Sequence, residues 1–166
     1  MPALGLDVTA AVVADLPELA DVAALTFPLA CPASASAEDI AAFIHESLSE
    51  QRFGDYLADP DRRVLVARAD GRMIGYAMLV RSADGVELSK IYLLPDGHGT
   101  GASAALMAAA LAAVRELGAE SVWLGVNQRN QRAQRFYAKQ GFTVCGTRTF
   151  RLGAGIENDY VMVRPV

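Results

Sequence analysis

Apolar residues in the first third of the chain recur mainly at helical spacing. After a strand predicted over 6–13, apolar side chains follow Asp15 at intervals of three and four, and Asp15 is a residue type that favours a helix start. This helix is expected to end near Pro28, before a loop over 30–37 that is rich in Pro, Ser and Ala. Two more helices are predicted, one from Glu38 and a short one over Arg52–Leu57.

The middle of the chain shows the alternation of apolar and polar residues that is typical of strands. Strands predicted over 63–69 and 72–80 flank Asp70-Gly71, a dipeptide that favours a tight hairpin turn. A second Asp-Gly, Asp84-Gly85, leads into a strand over 87–94. We therefore expect three antiparallel strands in chain order.

A long apolar helix and a further strand follow this meander. The helix is predicted over 101–117 with Gly118 at its C-terminal cap, and its nearly continuous apolar surface is typical of burial against a sheet. The strand over 121–126 is reached through this helix. Such a crossover makes it parallel to the strand that precedes the helix.

The glycine-rich turn over 95–103 lies between that strand and the long helix. Backbone N–H groups in the first turn of a helix have no intrahelical partner, and together with the helix dipole they favour a bound anion. A Walker loop is excluded because Gly101 is followed by Ala102 and Ser103 instead of Lys and Ser or Thr. The turn therefore predicts a phosphate site of another kind.

A dinucleotide-binding fingerprint is the second alternative for this turn. Gly99-x-Gly101-x-x-Ala104 fits the pattern G-x-G-x-x-A, follows a strand and opens a helix. However, Asn127 follows the next strand where an acidic ribose ligand is expected, and too little chain remains for a second half-domain. This alternative, a dehydrogenase, is less favoured.

Composition limits the class of protein further. With 166 residues, 52% of them hydrophobic, the chain fits one globular domain over 1–166. No apolar run is long enough for a membrane span, and acidic residues interrupt the apolar opening, so neither a membrane segment nor a signal peptide is expected. Cys31 and Cys145 lie far apart, and His45 and His98 have no second ligand at metal-binding spacing. We expect a cytoplasmic protein with reduced thiols and no metal.

Acidic and basic residues are unevenly distributed along the chain. Up to residue 61 there are eleven acidic residues and a single basic one, Arg52, whereas the remainder has eight acidic and fourteen basic residues. This split favours an anionic cofactor on the later part and a cationic substrate near the earlier part. Simple solvation of helix surfaces is an equally good explanation of the acidic residues.

Two motifs together resemble those of the GCN5-related N-acetyltransferases (GNAT). The segment 92–103 resembles their acyl-CoA pyrophosphate loop, Q/R-x-x-G-x-G/A, with His98 at the Gln/Arg position, Gly101 at the glycine and Ser103 at the last small residue. The segment 130–142 resembles their signature N-x-x-A-x-x-F-Y-x-x-x-G-F in every specified position. The PaiA-type spermidine/spermine N-acetyltransferases are the members that the chain looks most like, on the segments 87–92, 123–126, 146–150 and 159–162.

The resemblance implies an α/β (α+β) GNAT fold, whose mixed, mostly antiparallel sheet splays after its fourth strand to admit acetyl-CoA. It implies acetyl transfer from acetyl-CoA to a primary amine, with a polyamine or another small cationic amine as the expected acceptor. A protein N-terminus or lysine is the alternative acceptor, and a non-catalytic acyl-CoA-binding module is the alternative of another class. Neither a nucleic acid nor a membrane is expected as a partner, and a homodimer is compatible with the sequence.

The resemblance also assigns roles to individual residues. Tyr137 is expected to be the general acid toward the coenzyme A sulfur, and Glu87 the general base, directly or through water. Alternation would place Glu87 and Leu93 on the same side of their strand if nothing interrupts it. Backbone N–H of Leu93 or Leu94 is expected to polarise the thioester carbonyl. The expected cofactor-binding residues are Leu93, Leu94, His98, Gly99, Thr100, Gly101, Ala102, Ser103, Asn130, Arg132 and Phe136, and Glu38, Asp39, Glu46 and Glu50 are expected to assist a polyamine.

Overall fold

A seven-stranded sheet in the order β1-β2-β3-β4-β5-β7-β6 forms the centre of the computed structural model, which describes residues 5–166. Every neighbouring pair is antiparallel except β4 and β5, so the predicted mixed sheet is confirmed. The strands are β1 Asp7–Ala10, β2 Arg62–Ala69, β3 Arg72–Ser82, β4 Gly85–Leu93, β5 Ser121–Asn127, β6 Thr143–Leu152 and β7 Gly155–Pro165. The α-helices are α1 Leu16–Ala30, α2 Ala37–Ser47, α3 Glu50–Ala58, α4 Ala102–Glu116 and α5 Gln131–Lys139.

The sheet separates two hydrophobic cores. On one face, α4 packs Leu106, Met107 and Val114 against the strands, and α5 adds partly buried aromatic side chains to the same core. On the other face, α1, α2 and α3 enclose the second core around Phe53 and Tyr76. None of the helices within 5–166 combines the length and the apolar character that a membrane crossing requires.

The α-helices begin and end close to the predicted positions, with local corrections. Ser36 and Ser49 accept backbone N–H bonds at the starts of α2 and α3, so that α3 begins before Arg52. Asp15 does not cap α1 through its side chain, which accepts the Val12 N–H at 2.9 Å and pairs with Arg68. The expected strand over 6–13 is therefore shorter, because a 3₁₀ turn replaces its end.

Helix α1 continues two residues past its predicted end near Pro28, to Ala30. A proline in the last turn removes only one intrahelical hydrogen bond, and tertiary packing offsets that loss. Phe27 is buried and stacks on Phe43 with ring centroids 4.5 Å apart. The two additional helical residues, Leu29 and Ala30, lie at the edge of the site described below.

A bulge in β4 changes which side chains share a face. Met78 of β3 pairs with Lys90, whereas Leu79 pairs with Leu88, so Ser89 is an extra residue on β4. Leu88 and Leu93 consequently both face the α4 core, while Glu87 faces the other side of the sheet. The expectation that Glu87 and Leu93 lie on the same side is wrong, because the bulge reverses the alternation between them.

The sheet opens between β4 and β5. The two strands pair only at their starts, where Val86 lies opposite Val122 and Glu87 opposite Trp123. Beyond this point the residues of β4 up to Leu93 have no partner on β5. The splay that the resemblance implied is thus present, and it leaves one edge of β4 free for a ligand.

Candidate active site

A cleft of about 490 Å³ lies at the free edge of β4. Its walls come from the end of β4, the glycine turn, the first turn of α4, the end of α1 and the start of α5. Seven of the predicted site residues line it: Leu93, His98, Ser103, Asn130, Arg132, Phe136 and Tyr137. Segments far apart in sequence are therefore brought together in one cleft.

The glycine turn presents the first turn of α4 to this cleft. Gly101 has φ of +87°, a left-handed conformation that lets the chain turn directly into the helix, and the helix's first bond runs from Ala105 N–H to Gly101 C=O at 3.0 Å. Within residues 5–166, the Ser103 and Ala104 N–H groups donate no hydrogen bond. Free donors at the N-terminus of a helix can donate hydrogen bonds to the oxygens of an anion.

One predicted donor of the turn is already engaged. Ala102 donates its N–H to the Thr100 hydroxyl at 3.3 Å, and the same hydroxyl donates to the Gly97 carbonyl. Ala102 is also fully buried. Ala102 and Thr100 therefore stabilise the shape of the turn, and the expectation that the Ala102 N–H meets a phosphate is corrected, because this donor is satisfied internally.

A basic side chain faces the turn from α5. Burial, and then the nearby Arg132 guanidinium, lower the pKa of His98 below its usual 6.5. His98 is therefore neutral at pH 7, and Arg132 is the charged group available to an anion here. Of the three arginines of α5 and its preceding loop, only Arg132 lines the cleft, whereas Arg129 and Arg135 do not.

Asn130 begins α5. Its side-chain oxygen accepts the Ala133 N–H at 3.1 Å, which is an N-cap interaction. Asn130 thus orients the helix that carries Phe136 and Tyr137, and its side-chain oxygen is engaged in that task although it lines the cleft.

Tyr137 lies against two aromatic rings at the inner end of the cleft. Its ring contacts Phe136 and Phe142 edge to face, with centroids 5.5 and 5.9 Å apart. Burial, and then the neighbouring Tyr92, raise the pKa of Tyr137 well above 10. The phenol is therefore protonated at neutral pH and can serve as a proton donor.

The hydrogen bonds of β4 distinguish the two backbone groups that were predicted to polarise a carbonyl. Leu94 donates its N–H to the Ile74 carbonyl at 2.7 Å, so this group is not available to a ligand. Since N–H groups alternate between the two edges of a strand, the Leu93 N–H points toward the gap beside β5. Leu94 is thereby excluded from the predicted role, and Leu93 is retained.

A second pocket, of about 380 Å³, adjoins the cleft. The two share Ala30 and Tyr92, so the Tyr92 side chain lies where they meet. Glu87 lines this second pocket. Glu87 and Leu93 lie opposite Val80 and Gly75, which are five residues apart on β3, so at a rise of about 3.3 Å per residue roughly 17 Å separates their Cα atoms. Glu87 is therefore too far away to take a proton directly from an amine that reacts beside Leu93. As a general base it could act only through water.

Arg148 of β6 organises the acidic groups of the second pocket. It contacts Glu87 at 3.4 Å and Asp159 at 3.2 Å, and it lies over the Trp123 ring at 5.4 Å. Gly125 makes this position possible, because a side chain there would overlap the guanidinium. No local sequence signal identifies Arg148, since its partners come from three other strands.

The acidic residues of the early helices lie elsewhere. Glu38, Asp39, Glu46 and Glu50 line neither the cleft nor the second pocket. Glu46 and Glu50 instead border a separate surface depression beside Arg52. The helical periodicity predicted the helices correctly, but it does not reveal which helix face meets the sheet.

Comparison with known proteins agrees with this geometry. A family model described as the acetyltransferase (GNAT) family matches residues 28–142. An uncharacterized N-acetyltransferase of Mycobacterium tuberculosis is 65% identical over 151 residues, which cover 90% of this chain and 97% of that protein.

Two crystal structures share the fold. The PaiA N-acetyltransferase from Thermoplasma acidophilum in complex with coenzyme A has a TM-score of 0.85 at 24% identity, with 98% of this chain and all of that chain covered. The ribosomal-protein-S18-alanine N-acetyltransferase from Escherichia coli has a TM-score of 0.73 at 20% identity, with coverage of 97% and 94%. The chain therefore belongs to the GNAT family and is an acetyl-CoA-dependent N-acetyltransferase.

Proposed function

We propose that the enzyme acetylates a primary amine on a small molecule that binds in the second pocket. The observation that carries this proposal is that the cleft and the second pocket meet at Tyr92. The cleft contains the start of α4 with its free N–H groups, and the second pocket does not. A cofactor and an acceptor in these cavities approach each other at that junction. A pocket of about 380 Å³ is of the size that holds a small acceptor.

The residues of the cleft fit the parts of acetyl-CoA. The free N–H groups at the start of α4, with Gly99 and Gly101 shaping the turn, would hold the pyrophosphate, and Arg132 would contact a phosphate. Phe136 offers an apolar wall to the pantetheine chain. Acetyl-CoA supplies an activated thioester, and its carbonyl oxygen would accept the Leu93 N–H.

Side chains of the protein then donate and accept the protons of the transfer. As the amine nitrogen bonds to the acetyl carbon, the carbon–sulfur bond breaks and the Tyr137 hydroxyl donates its proton to the departing sulfur. The amine gives up one proton, which a water chain carries toward Glu87. Glu87 then releases this proton to solvent and the Tyr137 oxygen takes one up from solvent, which restores both groups. Arg148 holds the carboxylate of Glu87 in place for this task.

A polyamine acceptor would require more free carboxylates in the pocket than a small monoamine does. An extended polycation needs several carboxylates that are free to meet its ammonium groups. Glu87 and Asp159 share Arg148, and the acidic residues of α2 and α3 lie outside the pocket. These contacts favour a small amine in general over a polyamine in particular.

Thiol release from acetyl-CoA, measured across a panel of polyamines, other small amines and peptides, tests the proposal. We expect release with small amines, and a loss of about 10²-fold or more in kcat when Tyr137 is replaced by Phe, with little change in acetyl-CoA affinity. Phe136→Leu is the matched control, because it removes an aromatic ring but no proton donor. Release with peptides alone would refute the small-molecule acceptor. Acetyl-CoA binding without release for any acceptor would instead support the non-catalytic binding module.

A further inference from the structure

Lys90 is a charged side chain in the second pocket for which the proposed transfer has no role. It projects from β4 between Glu87 and Tyr92 on the acceptor side of the sheet, a placement set by the Ser89 bulge. Its ammonium lies 5.5 Å from the centre of the Phe43 ring. Among residues 5–166, no carboxylate lies within 4.0 Å of it.

The carboxylates of the same pocket are already bound to other groups. Glu87 and Asp159 contact Arg148. Glu157 accepts hydrogen bonds from Asn127 at 3.2 Å and from Ser34 at 3.3 Å. Each of these carboxylates therefore has a hydrogen-bond or ion-pair partner, whereas no carboxylate of the described residues pairs with the ammonium of Lys90.

A second basic side chain lines the pocket. Arg151 of β6 is exposed, and in the described part of the chain it forms no ion pair. Burial lowers the pKa of Lys90 to about 8, so at pH 7 it is still mainly charged. Three acidic side chains (Glu87, Glu157 and Asp159) and three basic ones (Lys90, Arg148 and Arg151) line the pocket, so it carries no net negative charge to attract a polycation.

We propose that the acceptor carries a single anionic group, a carboxylate or a phosphate, in addition to its primary amine, and that Lys90 binds this group. The inference rests on the proposed function, because it treats the second pocket as the acceptor site. The amine would then lie toward Tyr92, where the two cavities meet, and the anionic group beside Lys90. A charge-assisted contact of this kind discriminates by about tenfold or more in affinity.

A matched series of acceptors tests the inference directly. 5-Aminopentanoate, pentylamine and cadaverine share an unbranched chain and a primary amine, but they end in a carboxylate, a methyl group and a second amine. We expect kcat/KM to be at least about tenfold higher for 5-aminopentanoate than for either of the others. O-Phosphoethanolamine and ethanolamine form a second pair, and the two pairs together show whether carboxylate or phosphate is preferred.

Variants of Lys90 show whether this residue is responsible. Lys90→Met keeps the aliphatic stem, and we expect it to lower kcat/KM for 5-aminopentanoate at least about tenfold, so that 5-aminopentanoate is no longer preferred over pentylamine. Lys90→Glu should reverse the preference in favour of cadaverine. Lys139→Met is the control, because Lys139 is exposed on α5 and lines neither cavity.

Two results would overturn the inference. Cadaverine used as well as 5-aminopentanoate by the wild-type enzyme would refute it, and so would an unchanged preference in folded Lys90→Met protein. If no acceptor releases thiol, the proposed function fails. Calorimetric titration of the three ligands into the coenzyme A complex still decides the inference in that case, because preferential binding of 5-aminopentanoate needs no transfer.

Discussion

Replacing Lys90 by Met is expected to make the protein more stable at pH 7. The pKa of Lys90 falls from 10.5 to about 8 on folding, chiefly through burial, with Arg62 adding to the shift and Glu87 opposing it. A tenfold change in proton affinity is worth about 1.4 kcal/mol, so the charged side chain costs at most roughly 3 kcal/mol. Lys90 is only partly buried, and its contact with Phe43 is lost in the variant. We therefore expect a gain of about 1–2 kcal/mol.

The pH dependence identifies the cause of this gain. Between pH 8 and pH 10.5 the unfolded chain binds more protons at this position than the folded protein, so the wild-type free energy of unfolding rises with pH in that range. The advantage of Lys90→Met is present in full below pH 8 and is lost as the pH approaches 10.5.

Urea denaturation of both proteins at pH 7 and pH 10 measures the effect. A gain of 1–2 kcal/mol also corresponds to roughly 2–8 °C in Tm for a domain of this size. Lys139→Met should change stability by less than about 1 kcal/mol, equally at both pH values. A variant no more stable than wild type at pH 7, or an advantage that is the same at pH 10, would refute the reasoning.

Two further predictions concern the cofactor cleft and the acceptor pocket. An anion bound beside His98 favours the protonated imidazole. As the pH falls below 6.5, coenzyme A affinity should therefore rise more in the wild type than in His98→Gln. Calorimetric pH profiles that run parallel for the two proteins would contradict this. Gly125→Ala should displace Arg148 from Glu87, lowering stability by about 1–3 kcal/mol and kcat by several-fold, as seen by denaturation and thiol release. Gly146→Ala, where a methyl group meets nothing, should be nearly neutral, and equal effects of the two changes would argue against the role of Arg148.

Local signals explain why much of the fold could be predicted from the sequence. Alternation and the Asp70-Gly71 turn specify the hairpin of β2 and β3, and the glycine turn with the α5 signature predicts most of the cleft. The Ser89 bulge has no such signal, because it is visible only in the pairing of β4 with β3. The positions of Lys90 and Arg148 depend on that bulge and on contacts between distant strands. Most residues of the cleft were therefore predictable from the sequence, whereas those of the second pocket, apart from Glu87, were not.

The bulge also explains how one strand serves both cavities. The free edge of β4 offers the Leu93 N–H to the cleft, while the face opposite α4 carries Glu87, Lys90 and Tyr92. With unbroken alternation, Glu87 would lie on the opposite face from Lys90 and Tyr92. The extra residue at Ser89 brings all three side chains to the acceptor pocket while Leu88 and Leu93 stay in the α4 core. Under the proposed function, acceptor specificity can thus change through side chains of residues 87–92 while the Leu93 N–H on the free edge of β4 stays in place.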